Sequence, residues 1–161
     1  MRTADLIDRG FGGGIPFGEL KQRQAELPPE PGVYAVATPG AFRPEFLAVG
    51  SGGFFKGKNP NVSIARLRAN WVAGTDVLYF GKAGGHGLRS SLRGRLSQYH
   101  DFGNGARAGH YGGRLIWQLR DAMDLLVYWM VTCEEPHDVE RELLTGFHAA
   151  FGALPFANLR I

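Results

Sequence analysis

The sequence predicts a small α+β domain, three short strands in one layer with helices against them. Chain order by itself leaves an α/β sandwich open as the alternative. Three observations lead there. The chain has 161 residues, the size of one domain able to bury its own core. Short apolar runs of strand character are interspersed with amphipathic helical stretches along the chain. Glycine, at 24 residues, gathers between those runs, at 10–14, 50–57, 84–87 and 103–113, and long glycine-bearing loops often carry function.

Residues 1–30 read as an N-terminal arm with a weakly helical stretch at Glu19 to Glu26, ended by Pro28, Pro29 and Pro31. Residues 31–161 form the main domain. Gly32 to Ala37 is a strand pattern closed by Pro39-Gly40. Residues 39–75 read as an irregular insertion with a short strand at Glu45 to Val49 and a helix over Val62 to Trp71. Val77 to Gly81 is a second buried strand, Leu88 to Tyr99 an amphipathic helix, and Leu115 to Leu119 a short helical piece. Leu125 to Thr132 is a third strand. Pro136 suits the first turn of a helix running to about Phe151. Pro155 to Ile161 closes the chain.

Composition excludes several classes. The lone Cys133 cannot form an internal disulfide and sits in an apolar run, so it is expected in the core. The N-terminus lacks a secretory pattern, and no apolar run approaches the roughly 20 residues of a membrane span. A cytoplasmic protein with no membrane partner is the expectation. The net charge of +3 and isoelectric point of about 9.2 permit a polyanionic partner without requiring one. His86, His100, His110, His137 and His148 show no metal-ligand spacing and read as structural or surface residues. Trp71, Trp117 and Trp129 read as core.

Two helices place charge where a plain core helix would be apolar. A helix turns about 100° per residue, so Arg95 and Tyr99 share the inward stripe of Leu92 and Leu96, while Arg89 and Arg93 lie on its flank. On the last helix, Glu140 falls within the arc of Val139, Leu143 and Phe147. A buried carboxylate needs a partner or a metal. One reading is a structural Glu140–Arg95 salt bridge; the other is a metal-binding carboxylate beside a phosphate-binding arginine.

Five motifs then follow in order: Gly32-Val33-Tyr34, Tyr79-Phe80-Gly81-Lys82-Ala83, Arg95 with Tyr99 four residues on, Glu140-Arg141-Glu142-Leu143-Leu144, and Pro155-Phe156-Ala157-Asn158. Together they resemble the GIY-YIG nuclease family over residues 32–158, with Val33 and Phe80 as conservative changes in the two name motifs. Gly-Lys-Ala and the Arg–Tyr spacing are similar to the excision-repair branch. Tyr79 lies 45 residues after Tyr34, further than is usual in the family, which makes 39–75 an insertion such as some of its restriction enzymes carry. The spacing from Glu140 to Asn158 is also longer than in the repair branch.

The resemblance implies a mainly antiparallel sheet and a metal-dependent DNA endonuclease. It assigns Glu140 to one Mg²⁺ or Mn²⁺ and Arg95 to the phosphate. Tyr34 would be the base, its pKa lowered by nearby cations. Lys82, Tyr79 and Tyr99 would position water and phosphate, and Asn158 would fix the geometry of its neighbours. DNA contacts are expected from Arg89, Arg93, Arg107, Arg114, Lys56 and Lys58. The alternatives are a non-catalytic DNA-binding module on the same fold and a protein-interaction domain with a buried salt bridge. Monomer and homodimer stay open, as does the choice among restriction, repair, mobile-element and toxin roles.

Overall fold

The computed structural model describes every residue except Ala41, His86 and Leu88. Its centre is a four-stranded sheet in the order β1-β4-β2-β3, where β1 is Gly12–Pro16, β2 Gly32–Ala37, β3 Val77–Ala83 and β4 Leu126–Val131. All three pairings are antiparallel, so the class is α+β. Helices α1 (Thr3–Asp8), α2 (Ile64–Asn70), α3 (Leu92–Gly103) and α4 (Pro136–Phe151) complete the fold.

The expected three strands are four, and the expected N-terminal helical arm holds the additional one. Gly12-Gly13-Gly14 has little strand propensity of its own. Pairing with β4 orders it, with a register shift between Gly13 and Ile15. The expected helix at 19–26 is instead two 3₁₀ turns, Phe17–Glu19 and Gln24–Glu26.

Every residue of β2 is buried, and its two faces serve two cores. Val33, Ala35 and Ala37 pack with Leu143, Leu144 and Phe147 of α4, while Tyr34 and Val36 pack with Leu92, Leu96 and Tyr99 of α3. A register shift at Val36/Ala37 lets β3 carry one extra residue there. Leu78 and Tyr79 consequently both join the α3-side core, whereas Val77 and Phe80 join the α4-side core.

Helix α3 starts at Leu92 with Ser91 as its cap, Ser91 Oγ accepting from the Gly94 amide at 3.1 Å. The expected start at Leu88 lies outside the described residues. Helix α4 opens on Pro136 and ends where Gly152 turns left-handed at φ 69°.

The insertion is packed rather than loose. No named strand forms at 45–49; Phe46 makes a single antiparallel bridge to Leu119. Phe46, Trp71 and Phe156 stack at 5.4–5.9 Å, and buried Gln118 donates to the Leu47 and Val62 carbonyls while accepting from the Val62 amide. Trp117 is fully buried, and Trp71 and Trp129 are half-buried against the same core. Cys133 is exposed, against expectation: it follows the end of β4, where the chain has left the sheet and Val131 is itself 48% exposed. Among the described residues no helix is long and apolar enough to cross a membrane.

Candidate active site

The two faces of the sheet meet along β3, and an open cavity of about 590 Å³ lies there. Tyr34 from β2, Tyr79 and Lys82 from β3, Arg95 from α3, Tyr111 and Arg114 from the loop and turn after α3, His137 and Glu140 from α4, and Asn158 all line it.

Tyr34 reaches the cavity because Gly81 stands directly opposite it in the register. A methyl group at Gly81 would sit 2.4 Å from the Tyr34 ring, so only glycine lets the phenol lie across β3. The Tyr34 hydroxyl is 2.6 Å from His110 Nε2. His110 in turn stacks flat on Tyr99, with centroids 3.6 Å apart and planes 5° off parallel. Tyr34, Tyr79, Tyr99 and His110 are all buried, the rings of Tyr34 and Tyr79 lying 6.1 Å apart.

Burial sets the protonation of this group. Desolvation pushes Tyr34 well above the ordinary phenol value, and neighbouring Tyr79 adds to the rise; Arg95 pulls against it. The expectation of a lowered Tyr34 pKa is therefore corrected, because loss of water outweighs the single cation. Tyr79 is pushed up to about 12 by burial and by the negative charge of Glu140. Tyr99 rises well above its ordinary value, again first by burial. Burial, with help from the Arg95 charge, holds His110 well below the usual imidazole value, so it is neutral at pH 7.

The opposite wall is charged. Lys82 Nζ donates to Glu140 Oε2 at 2.7 Å and lies 2.8 Å from His137 Nδ1. The carboxylate partner is thus Lys82, and the reading of a structural Glu140–Arg95 bridge gives way to it. Arg95 Nη1 donates instead to the Gly109 carbonyl at 2.7 Å and to Gln98 at 3.3 Å. The geometry follows from the sheet: Lys82, two residues on from Phe80, faces α4, whereas Arg95 belongs to the helix on the other face.

Tyr99 does not line the cavity. Its hydroxyl donates to the Gly113 carbonyl at 2.7 Å, so its work is to hold the loop that delivers His110, and its expected contact with water and phosphate is corrected. Asn158 pins the final segment to β3, accepting from the Phe80 amide and donating to the Phe80 carbonyl, both at 2.9 Å.

The expected DNA-contacting cations divide. Arg114 lies at the cavity, its guanidinium 4.3 Å above the Tyr111 ring and its Nε buried with no partner among the described residues. Arg89, Arg107, Lys56 and Lys58 are exposed. Lys58 is next to Asn59, whose carbonyl accepts from the rim residue Tyr111. Arg93 is half-buried and donates from Nε to the Leu27 carbonyl at 2.9 Å, which takes part of it out of the exposed set. The site residues that sequence reasoning passed over are His110 and His137. His137 stands one helical turn before Glu140, a spacing that could have flagged it; His110 has no such periodic signal.

Glu140 is a single carboxylate with one oxygen engaged by Lys82, and no cluster of three His, Cys, Asp or Glu occurs among the described residues. One carboxylate on an open, wetted cavity fits a hard cation such as Mg²⁺, which keeps several waters and takes its other contacts from substrate phosphate. The chain matches no family model, no curated protein and no solved structure.

Proposed function

We propose that the protein is a divalent-metal-dependent nuclease of the GIY-YIG type that hydrolyses DNA phosphodiester bonds. The observation that supports this best is convergence. Tyr34, Tyr79, Lys82, Arg95 and Glu140, drawn from four elements on both faces of the sheet, line one cavity. Motif residues kept only for packing would have no reason to gather around one cavity.

In this reading Arg95, steadied by the Gly109 carbonyl, meets the scissile phosphate, and Arg114 adds a second guanidinium at the same cavity. Glu140 would hold Mg²⁺ or Mn²⁺, which when bound supplies charge to stabilise the pentacovalent transition state and leaving oxygen. Lys82 fixes the Glu140 carboxylate in place through Oε2. Tyr34 receives the proton of the attacking water. The exposed Arg89, Arg107, Lys56 and Lys58 contact flanking phosphates.

The test is cleavage of supercoiled plasmid by purified protein with Mg²⁺ or Mn²⁺. Glu140→Ala and Arg95→Ala should each lose about a hundredfold or more, the cost of one transition-state contact. Metal-dependent cutting that survives Glu140→Ala would falsify the site. DNA retention with no cutting at all would favour the binding-module alternative.

A further inference from the structure

We infer that His110 is the proton acceptor behind Tyr34, so that the pair works as a relay and not as a lone tyrosine base. This rests on the nuclease reading of the site.

The geometry carries it. His110 Nε2 is 2.6 Å from the hydroxyl of Tyr34; both residues are buried, and Tyr34 also lines the cavity while His110 stands behind it. Tyr34 also hydrogen-bonds Tyr79, itself a phenol, so His110 is the partner of that hydroxyl with a basic nitrogen to take its proton. The ring is held on several sides. Tyr99 stacks on it, its own amide donates to the Ala108 carbonyl, and Arg95 and Tyr99 grip the loop on either side of it at Gly109 and Gly113. Such clamping fixes the ring plane toward Tyr34. The other ring nitrogen, Nδ1, is buried without a hydrogen-bond partner among the described residues. A histidine placed only for packing would have little reason to leave a polar atom orphaned, and an unpaired buried group calls for an explanation.

A phenol is a better donor than acceptor, so the neutral ring carries its proton on Nδ1 and accepts at Nε2. The step then balances. As the water oxygen bonds to phosphorus and the bond to the leaving oxygen breaks, the water proton passes to Tyr34 Oη. The original Tyr34 proton passes to Nε2, giving an imidazolium, and the leaving oxygen takes a proton from solvent. Burial opposes a free Tyr34 phenolate and equally a lasting His110 imidazolium, so the proton rests on Nε2 only during the step and returns when the product leaves. His110 is a positioning and proton-accepting residue that does not touch substrate.

The groups facing this pair are Tyr79 on β3, Arg95 and Tyr99 on α3, and Glu140 on α4, whose charge reaches both phenols. With His110 neutral well below its usual range, the acid limb of the cleavage rate should begin below about pH 6.5.

Two measurements test the relay. Long-range proton–nitrogen NMR on histidine-labelled wild-type protein reads the tautomer of His110, and the expected result is a proton on Nδ1. His110→Gln keeps an acceptor for Tyr34 but cannot take its proton. It should bind DNA with unchanged Kd and cut at least about a hundredfold more slowly, and free imidazole should restore part of the activity of His110→Ala. A proton on Nε2, or His110→Gln cutting within about threefold of wild type, overturns the relay and leaves the nuclease reading standing. Wild-type protein that cuts no DNA overturns the nuclease reading itself. The tautomer needs no activity and no variant that must fold.

Discussion

At the inner end of the cavity Tyr34 and Tyr79, with Tyr99 and His110 behind them, are buried and neutral; at its outer wall, Lys82, Glu140 and Arg114 are partly open to water. The difference is one of solvation. Ionising a buried phenol or imidazole forfeits hydration, so the resting inner group is neutral and is held by hydrogen bonds and ring contacts. The outer wall keeps its charges where water, phosphate and a cation can reach them. Arg95 joins the two, lining the cavity while its charge is felt by Tyr34, Tyr79 and His110.

The largest expected effect separates the two ends most sharply. Glu140→Gln should cost about a hundredfold or more in plasmid nicking. Its melting temperature should hardly move, because a part-exposed pair such as Lys82–Glu140 is worth about 1 kcal/mol or less. A large drop in the melting temperature would break the division. The reverse is expected at the inner end: Gly81→Ala forces a methyl into the Tyr34 ring and should cost about 1–3 kcal/mol in urea unfolding, with activity lost because Tyr34 is displaced.

Acid stability sharpens the contrast further. His110 has its pKa lowered in the folded state, so the unfolded chain binds its proton first as pH falls. Stability should be undiminished above about pH 6.5 and fall below it, at up to about 1.4 kcal/mol per pH unit from this one group. Urea midpoints of wild type and His110→Gln between about pH 5 and pH 7.5 check this, since the variant should lose that part of the slope. Tyr99→Phe deletes the bond to Gly113 and should cost about 1 kcal/mol by the same assay. The smallest effect lies on the rim: Lys58→Ala should leave the fold intact and flatten the salt dependence of DNA binding by about one unit of slope.

Much of this arrangement was readable in the sequence where helical or strand period governs. Arg95 and Glu140 fall inward by spacing alone, and Pro136 marks the start of α4 because its backbone preference is strong. Strand β2 was plain because both of its faces are buried. What was hidden depends on contacts distant along the chain. Gly12 to Gly14 has no strand signal until β4 pairs with it. Tyr79 shares a face with Leu78 only through a register shift that depends on pairing with β2. His110 sits in a glycine-bearing loop with no period to reveal it, and its neighbour Tyr34 is 76 residues away. Lys82 was paired correctly with neither Glu140 nor His137, since helix spacing says nothing of which strand residue a helix will meet.

The side chain of Asn158 has a consequence beyond the site. Strand β3 is the last in the sheet, and its outward-facing backbone is what a strand from another molecule would seek. Asn158 gives Phe80 both of its missing hydrogen bonds with one amide, and the Ala157 amide occupies the Leu78 carbonyl. A single residue thereby imitates a fifth strand at that position. The middle of the β3 edge, at Leu78 and Phe80, is thus withheld from edge-to-edge pairing, and the cavity beside it stays open to ligand.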